Sequence, residues 1–169
     1  MLKLKWMLLW LLRTSHLTAN GLPNKMPPII GFTAYSGTGK TSLLTKLIPL
    51  LRDQQIRVSV LKHSHHPFEI DIPGKDSFEL RKAGAYQTLI SSAKRKALIT
   101  EFSSKDEETT FNELIAELDQ DKIDLILVEG FKWESFNKIE LHREELAKPY
   151  LYKEDKNICE DYIEVKADS

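Results

Sequence analysis

The order of apolar and polar residues predicts that strands and helices alternate along the chain. Ile29–Thr33 is a short, mostly apolar run of the kind that forms a buried strand. After a loop, leucine and isoleucine recur at helical spacing in a helix that opens at Lys40, although Pro49 predicts a kink or an early end. Ile56–Leu61 then alternates as a strand does. This order predicts a right-handed βαβ unit with parallel strands.

The middle of the chain predicts shorter elements. A capping pattern at Asp76–Glu79 opens a short helix, which Gly84 closes. Tyr86–Ser91 and Ala97–Glu101 are two β segments joined by a polar turn, and together they predict a hairpin.

The second half of the chain predicts one more helix and a fully buried strand. After an acidic run at residues 105–108, apolar spacing predicts a packing helix that starts at Thr109 or Thr110 and ends at Leu118. Leu125–Val128 contains apolar residues only, which is typical of a strand covered on both faces of a parallel sheet. The elements therefore predict an α/β fold with a mostly parallel sheet.

The composition is that of a soluble globular protein. The 169 residues, of which 41% are hydrophobic and 29% charged, suit one domain with a substantial core. A formal net charge of -1 and a pI near 6.5 give no reason to expect nucleic acid as the main partner. The sequence has one cysteine, Cys159, which excludes an intramolecular disulfide and fits a reducing cytosol.

Residues 1–25 differ from the rest of the chain. Lysines precede the apolar run Trp6–Leu12, and Arg13 and a polar stretch follow it, which is the order of a secretory signal. The apolar run is at the lower limit for such a signal and too short to cross a bilayer. We favour the other interpretation, in which Met26 is the true start, the leader comes from an upstream start, and residues 26–169 form a cytoplasmic domain.

The loop between the first strand and the first helix has the residues of a phosphate-binding P-loop. Gly37 and Gly39 can adopt conformations closed to other residues, so the loop can curl and point N–H groups inward. The unpaired N–H groups at the start of the helix add to this anion site. Lys40 supplies a charge for the β- and γ-phosphates, and the Thr41 hydroxyl is placed to bind Mg²⁺. The predicted nucleotide-binding residues are Ser36, Gly37, Thr38, Gly39, Lys40, Thr41 and Ser42.

This loop makes the predicted fold a P-loop NTPase-type three-layer α/β fold with a mostly parallel sheet and a β-hairpin extension. Ala34 stands where the strict loop pattern has glycine, which is a mild change.

The loop after the second predicted strand is rich in histidine. His63, His65 and His66 lie close together and Asp71 follows, at a strand end where α/β proteins bind ligands. Three interpretations stay open: a Zn²⁺ or Ni²⁺ site, polar contacts to a phosphorylated ligand, or a solvated turn. We favour polar ligand contacts, because the spacing matches no established zinc pattern.

Glu129 follows the apolar strand at its carboxyl end, where a P-loop protein holds Mg²⁺ through water or activates a water molecule. We therefore predict Lys40 and Glu129 as catalytic residues, and Thr41 and Glu129 as metal-binding residues. Asp124 lies at the other end of the strand and is predicted to be a surface residue. The string Asn137–Glu140 is similar to a guanine-reading motif but lacks its aspartate, and we ascribe the similarity to chance.

Four motifs in this order resemble the MobB-type adapter proteins of molybdopterin guanine dinucleotide biosynthesis: A-Y-S-G-T-G-K-T, L-K-H-S-H-H, D-I-P-G-K-D-S-F-E-L-R-K-A-G-A and L-I-L-V-E-G-F-K. The resemblance covers about residues 27–143. It implies a small, dimeric P-loop protein that binds GTP with Mg²⁺ and hydrolyses it slowly. The role it implies is to assist a MobA-type guanylyltransferase, which joins GMP to molybdopterin.

The resemblance also implies a ligand or partner surface beside the nucleotide site, formed by Lys62, His63, His65, His66, Asp71, Gly74, Lys75, Asp76, Ser77 and Arg81. It implies neither a nucleic-acid nor a membrane partner. The preference for guanine rests on the resemblance alone.

Two features depart from this family. Its members usually begin near the first strand, which favours Met26 as the start, and usually continue beyond Asn157 with another strand and a helix, so we expect a truncated or frameshifted product. Two alternatives from other classes stay open. One is a P-loop small-molecule kinase, and the other is a metal-insertion GTPase that uses the histidine loop.

Overall fold

The computed structural model describes residues 26–64, 66–103, 109–159 and 163–165. Several predictions concern residues outside these ranges: the leader 1–25, His65, the acidic run 105–108 and the last residues of the chain. The chain divides into two compact units. We call Ser64–Thr110 the hairpin unit, and the remainder, up to His63 and from Phe111 onward, the sheet unit.

The described residues form seven strands and three α-helices. The strands are β1 (Ile29–Thr33), β2 (Val58–Lys62), β3 (Gln87–Ser91), β4 (Lys96–Thr100), β5 (Leu125–Glu129), β6 (Lys138–His142) and β7 (Ile163–Glu164). The helices are α1 (Lys40–Asp53), α2 (Asp76–Lys82) and α3 (Phe111–Ala116), with short 3-10 turns at Gln120–Lys122, Glu144–Leu146 and Leu151–Lys153. None of the helices formed by the described residues is long and apolar enough to span a membrane.

The sheet unit is built on a parallel sheet with the strand order β2-β5-β1-β6-β7. Every neighbouring pair of strands in it is parallel. The mixed α/β prediction with a parallel sheet is therefore confirmed. Because these strands are parallel, the carboxyl ends of β5, β1 and β6 lie at the same edge of the sheet, and β5 is the direct neighbour of β1.

The core of the sheet unit lies on both faces of β5. Leu125 and Leu127 pack into a cluster with the helix residues Leu47 and Leu51. Ile126 and Val128 point to the other face, into a cluster with residues of α3. All four strand residues are buried, as the apolar run predicts. The sheet is thus the middle of three layers, with α1 on one side and α3 on the other.

Three predicted boundaries need correction. Pro49 does not end α1, which continues to Asp53. Leu47 and Leu51, on either side of the proline, are fully buried, so tertiary packing outweighs the lost backbone hydrogen bond. Helix α3 ends at Ala116, before the expected Leu118, and β2 starts later than expected.

The hairpin unit consists of α2 and the predicted antiparallel pair β3 and β4, in which Leu89 lies opposite Leu98. The capping pattern predicted for α2 is wrong in detail, because Lys75 is the N-cap and makes no side-chain hydrogen bond. Instead, the Ser77 hydroxyl donates to Asp71. Among the described residues of this unit, Arg81 is the one that is buried, while nine large hydrophobic side chains are exposed.

Candidate functional site

The loop between β1 and α1 has the curled backbone that a phosphate-binding loop requires. Gly37 and Gly39 have φ angles of 79° and 104°, a left-handed region that residues with a Cβ rarely adopt. The backbone N–H and the hydroxyl of Thr38 both donate to the carbonyl of Tyr35, at 3.3 and 2.8 Å. These bonds close the loop on itself and fix its shape.

Most of the side chains predicted to bind nucleotide are accessible around this loop. Lys40 begins α1, and its Nζ donates to the carbonyl of Ala34 at 3.1 Å. Ser36, Thr41 and Ser42 are exposed, whereas Thr38 is buried in the turn. The residues of the predicted site thus lie together at the start of α1, where the helix has unpaired N–H groups.

Glu129 is the last residue of β5, the strand next to β1, and it lies in register with Phe32. It is also in register with Lys62 at the end of β2, whose Nζ is 3.6 Å from a Glu129 carboxylate oxygen. Parallel pairing on both sides of β5 therefore brings the carboxylate to the edge of the sheet that carries the predicted phosphate-binding loop. We call this loop, residues 34–39, the phosphate loop.

The electrostatics of this edge favour an anion. Burial lowers the pKa of Lys40, Glu129 opposes that lowering, and the neighbouring charges of Lys132 and Lys62 lower the pKa further. Lys40, Lys62 and Lys132 thus repel one another, and Glu129 is the carboxylate among them. A polyphosphate would neutralise this excess of positive charge.

His63 is held beside Glu129 by a tight turn. The His63 N–H donates to the Glu129 carbonyl at 2.9 Å, and the His63 ring lies 4.7 Å from that of Phe131, centroid to centroid. Gly130 and Phe131 both have positive φ, at 100° and 49°. A Cβ on Gly130 would lie 2.8 Å from the Cβ of His63, so this close approach requires glycine. The sequence predicted that His63 lies near the site, but it did not predict the turn at Gly130 and Phe131 that packs against it.

The remaining residues of the predicted ligand or partner surface belong to the hairpin unit, apart from His65, which lies outside the described residues. His66, Gly74, Lys75 and Asp76 are exposed there. Arg81 and Asp71 differ from these residues, because Arg81 forms ion pairs with Asp71 and with two other carboxylates of the same unit.

The guanidinium of Arg81 is committed to carboxylates within the hairpin unit. It donates to Glu69 at 2.6 Å and to Glu101, and its Nε lies 3.7 Å from Asp71. The hydrogen bonds to Glu69 and Glu101 raise the pKa of Arg81. Arg81 therefore organises this unit from inside, and an anionic ligand would have to compete with three carboxylates.

Among the described residues, no group of three or more His, Cys, Asp and Glu side chains could hold a metal ion. The metal-insertion alternative therefore finds no support in the part of the histidine loop that the structure describes. Mg²⁺ bound with a nucleotide needs fewer protein ligands, because the phosphates supply oxygens. The exposed hydroxyl of Thr41 and the carboxylate of Glu129 fit that requirement.

One face of β6 carries a buried polar row that the sequence did not reveal. Lys138, Glu140 and His142 are all at least 95% buried, although lysine and glutamate are mostly exposed in proteins. The later segment of the chain covers them.

Internal contacts occupy the first two members of this row. The Nζ of Lys138 donates to two backbone carbonyls and to Asp155, the last at 2.8 Å. Burial raises the pKa of Asp155, but the hydrogen bonds from Lys138 and Asn157 outweigh it, so that the pKa is lowered overall. The Glu140 carboxylate accepts two backbone N–H groups. Neither side chain is thus available to read a base, in line with the interpretation of Asn137–Glu140 as a chance match.

Comparison with known proteins supports the fold and shows the family of the chain. The family model "Molybdopterin guanine dinucleotide synthesis protein B" matches residues 29–161. The chain is 53% identical over 119 residues to the molybdopterin-guanine dinucleotide biosynthesis adapter protein of Escherichia coli, which covers 70% of this chain and 67% of the relative. It is 46% identical over 126 residues to the protein of that name from Haemophilus influenzae, over 75% of this chain and 69% of the relative.

A solved structure supports the fold independently. The chain is similar to the crystal structure of molybdopterin-guanine biosynthesis protein B, with a TM-score of 0.54 and 26% identity. The similarity covers 70% of this chain and 73% of that one.

Proposed function

The chain belongs to the molybdopterin guanine dinucleotide synthesis protein B family, and from this premise we propose that it is an adapter in molybdopterin guanine dinucleotide biosynthesis. It binds GTP with Mg²⁺ and hydrolyses it slowly in the cytoplasm. Its task is to assist the guanylyltransferase that joins GMP to molybdopterin.

One observation carries the nucleotide-binding part of this proposal. The phosphate loop with Lys40 and the strand end with Glu129 lie on neighbouring strands, with Phe32 and Glu129 in register. In this arrangement the loop N–H groups and Lys40 bind the phosphates. Thr41 and Glu129 hold Mg²⁺, directly or through water, and Glu129 orients the attacking water. Glu129 is also the carboxylate whose charge opposes the lowering of the Lys40 pKa.

The electrostatic state of Lys40 supports a role in binding rather than in stability. Its lowered pKa reflects burial and two neighbouring lysines, which make the ammonium unfavourable before phosphate binds. A phosphate relieves that repulsion. The charged form of Lys40 is therefore destabilised in the free protein, and a bound phosphate would stabilise it.

The hairpin unit supports the adapter and homodimer parts of the proposal. Leu89 and Leu98 lie opposite each other on the hairpin and are 67% and 54% exposed. Phe68, Ile70 and Ile72 of the same unit are more than 60% exposed. Apolar area of this kind is typical of a surface that a second protein covers.

Calorimetric titration of GTP and of ATP, each with Mg²⁺, tests the nucleotide-binding claim. We expect selective binding of GTP, weakened at least about tenfold by Lys40→Ala, because a charge-assisted contact to phosphate is lost. Lys46→Ala is the matched control, since Lys46 is exposed on the same helix and should leave the affinity unchanged.

The outcomes separate the proposal from its alternatives. Unchanged GTP affinity in Lys40→Ala would remove the claim that this loop binds the nucleotide. Preference for ATP, with the γ-phosphate arriving on an acceptor molecule instead of water, would favour a small-molecule kinase.

A further inference from the structure

Arg143 lies beside the phosphate loop without having been part of any predicted site. A Cβ atom on Gly39 would lie 3.7 Å from Nη2 of Arg143. The Nε of Arg143 is buried and has no hydrogen-bond partner among the described residues. A buried guanidinium N–H without an acceptor is unfavourable, and its planar fork of donors suits a phosphate.

A second cation reaches the loop from the same segment of the chain. The Nζ of Lys148 lies over the ring of Tyr35, 5.9 Å from its centroid, and Tyr35 is part of the phosphate loop. Two positive side chains that follow β6 thus flank the loop. Neither belongs to the set around Glu129.

The segment that carries these two cations is anchored from inside. The buried Glu140 carboxylate accepts the N–H groups of Leu151 and Tyr152, at 2.9 and 3.0 Å. The carbonyl of Arg143 accepts the N–H of Leu146 at 3.1 Å. The backbone at Arg143 is therefore fixed at both ends, so its side chain approaches the loop from a defined direction.

The strand order decides which end of a nucleotide this residue would meet. Glu129 and Lys62 lie on the β5 side of β1, whereas Arg143 follows β6 on the other side. Lys40 and Glu129 act at the γ-phosphate end. We propose that Arg143 binds the α- and β-phosphates of a nucleoside di- or triphosphate, on the opposite side of the loop from Glu129. This inference rests on the proposed nucleotide binding, and Lys148 adds attraction for the same anion.

The test is the affinity of the full-length chain for GDP, GTP and ADP, measured with Mg²⁺ by calorimetry in Arg143→Ala and Arg143→Lys. We expect Arg143→Ala to weaken GDP and GTP equally, by roughly 10- to 100-fold, because a bidentate ionic contact is lost. Arg143→Lys keeps the charge without the fork and should recover part of the loss. Arg52→Ala is the matched control, because it removes the same charge from an exposed residue at the far end of α1.

Each outcome bears on the inference separately from the proposed function. Unchanged GDP and GTP affinities in both Arg143 variants would overturn the role of Arg143 and leave the proposed function standing. A loss of affinity for GTP but not for GDP would also overturn it, because it would place Arg143 at the γ-phosphate. Equal losses in Arg143→Ala and Arg143→Lys, with an altered circular dichroism spectrum, would assign Arg143 to the fold instead. Wild-type protein that binds ADP but not GDP would refute the guanine preference, and the variants would then be tested with ADP. Wild-type protein that binds none of the three would refute the proposed function itself.

Discussion

Replacing Gly130 by alanine should destabilise the sheet unit through two additive effects. The first is backbone strain, because Gly130 has a φ of 100°. A residue with a Cβ in the left-handed region costs about 1–2 kcal/mol. The second is a steric overlap, because the new Cβ would lie 2.8 Å from the Cβ of His63 and 3.3 Å from its carbonyl oxygen. Overpacking of this kind typically costs about 1–3 kcal/mol.

Gly37→Ala is the matched control for the first effect. Gly37 belongs to the same unit and has a φ of 79°, but a Cβ there would meet no atom within 4 Å. The difference between the two variants in the free energy of unfolding therefore isolates the overlap with His63, at about 1–3 kcal/mol.

Urea unfolding followed by far-ultraviolet circular dichroism measures this difference. With a slope of about 2 kcal/mol per molar urea, the midpoint of Gly130→Ala should fall roughly 0.5–1.5 M below that of Gly37→Ala. Equal midpoints in the two variants would refute the argument that the turn after β5 is packed against His63. A Gly130→Ala protein with full stability would refute the strain argument as well.

Two further predictions concern buried and charged groups. Glu140→Gln should lower the free energy of unfolding by about 2–3 kcal/mol, because the N–H groups of Leu151 and Tyr152 donate to different carboxylate oxygens and an amide has only one oxygen. Glu145→Gln is the control, since Glu145 is exposed and its replacement should change the free energy of unfolding little. Chemical denaturation compares the two variants. The affinity for nucleotide should decline as pH rises, starting below the usual range for lysine, because the pKa of Lys40 is lowered in the free protein and phosphate binds its protonated form. Lys40→Arg should show no such decline in calorimetry over the same pH range, and a decline that persists in this variant would contradict the assignment to Lys40.

The local part of the site could be predicted from the sequence. Gly37, Gly39 and Lys40 are close in the chain, so strand, loop and helix follow from neighbouring residues. Leu125–Val128 likewise predicted a strand buried on both faces, with a carboxylate at its end. That β5 pairs directly with β1 depends on long-range pairing, which no local pattern reveals.

The features that the sequence did not predict depend on contacts between residues that are far apart in the chain. Lys138, Glu140 and His142 alternate with apolar residues as on a solvated strand face, but the following segment buries them. The approach of Arg143 to Gly39 follows from the neighbouring positions of β6 and β1, which the order of elements along the chain does not give. Pro49 indicated a helix end locally, and packing of the two flanking leucines outweighed it.

The most direct test of the account is the rate at which a MobA-type guanylyltransferase forms molybdopterin guanine dinucleotide from GTP and molybdopterin, with and without this protein. We predict that wild-type protein and the control Lys46→Ala raise the rate, and that Lys40→Ala, present as a folded protein, does not. A rate that wild-type protein leaves unchanged would contradict the adapter role. An increase that survives in Lys40→Ala would show that assistance does not depend on nucleotide bound at this loop.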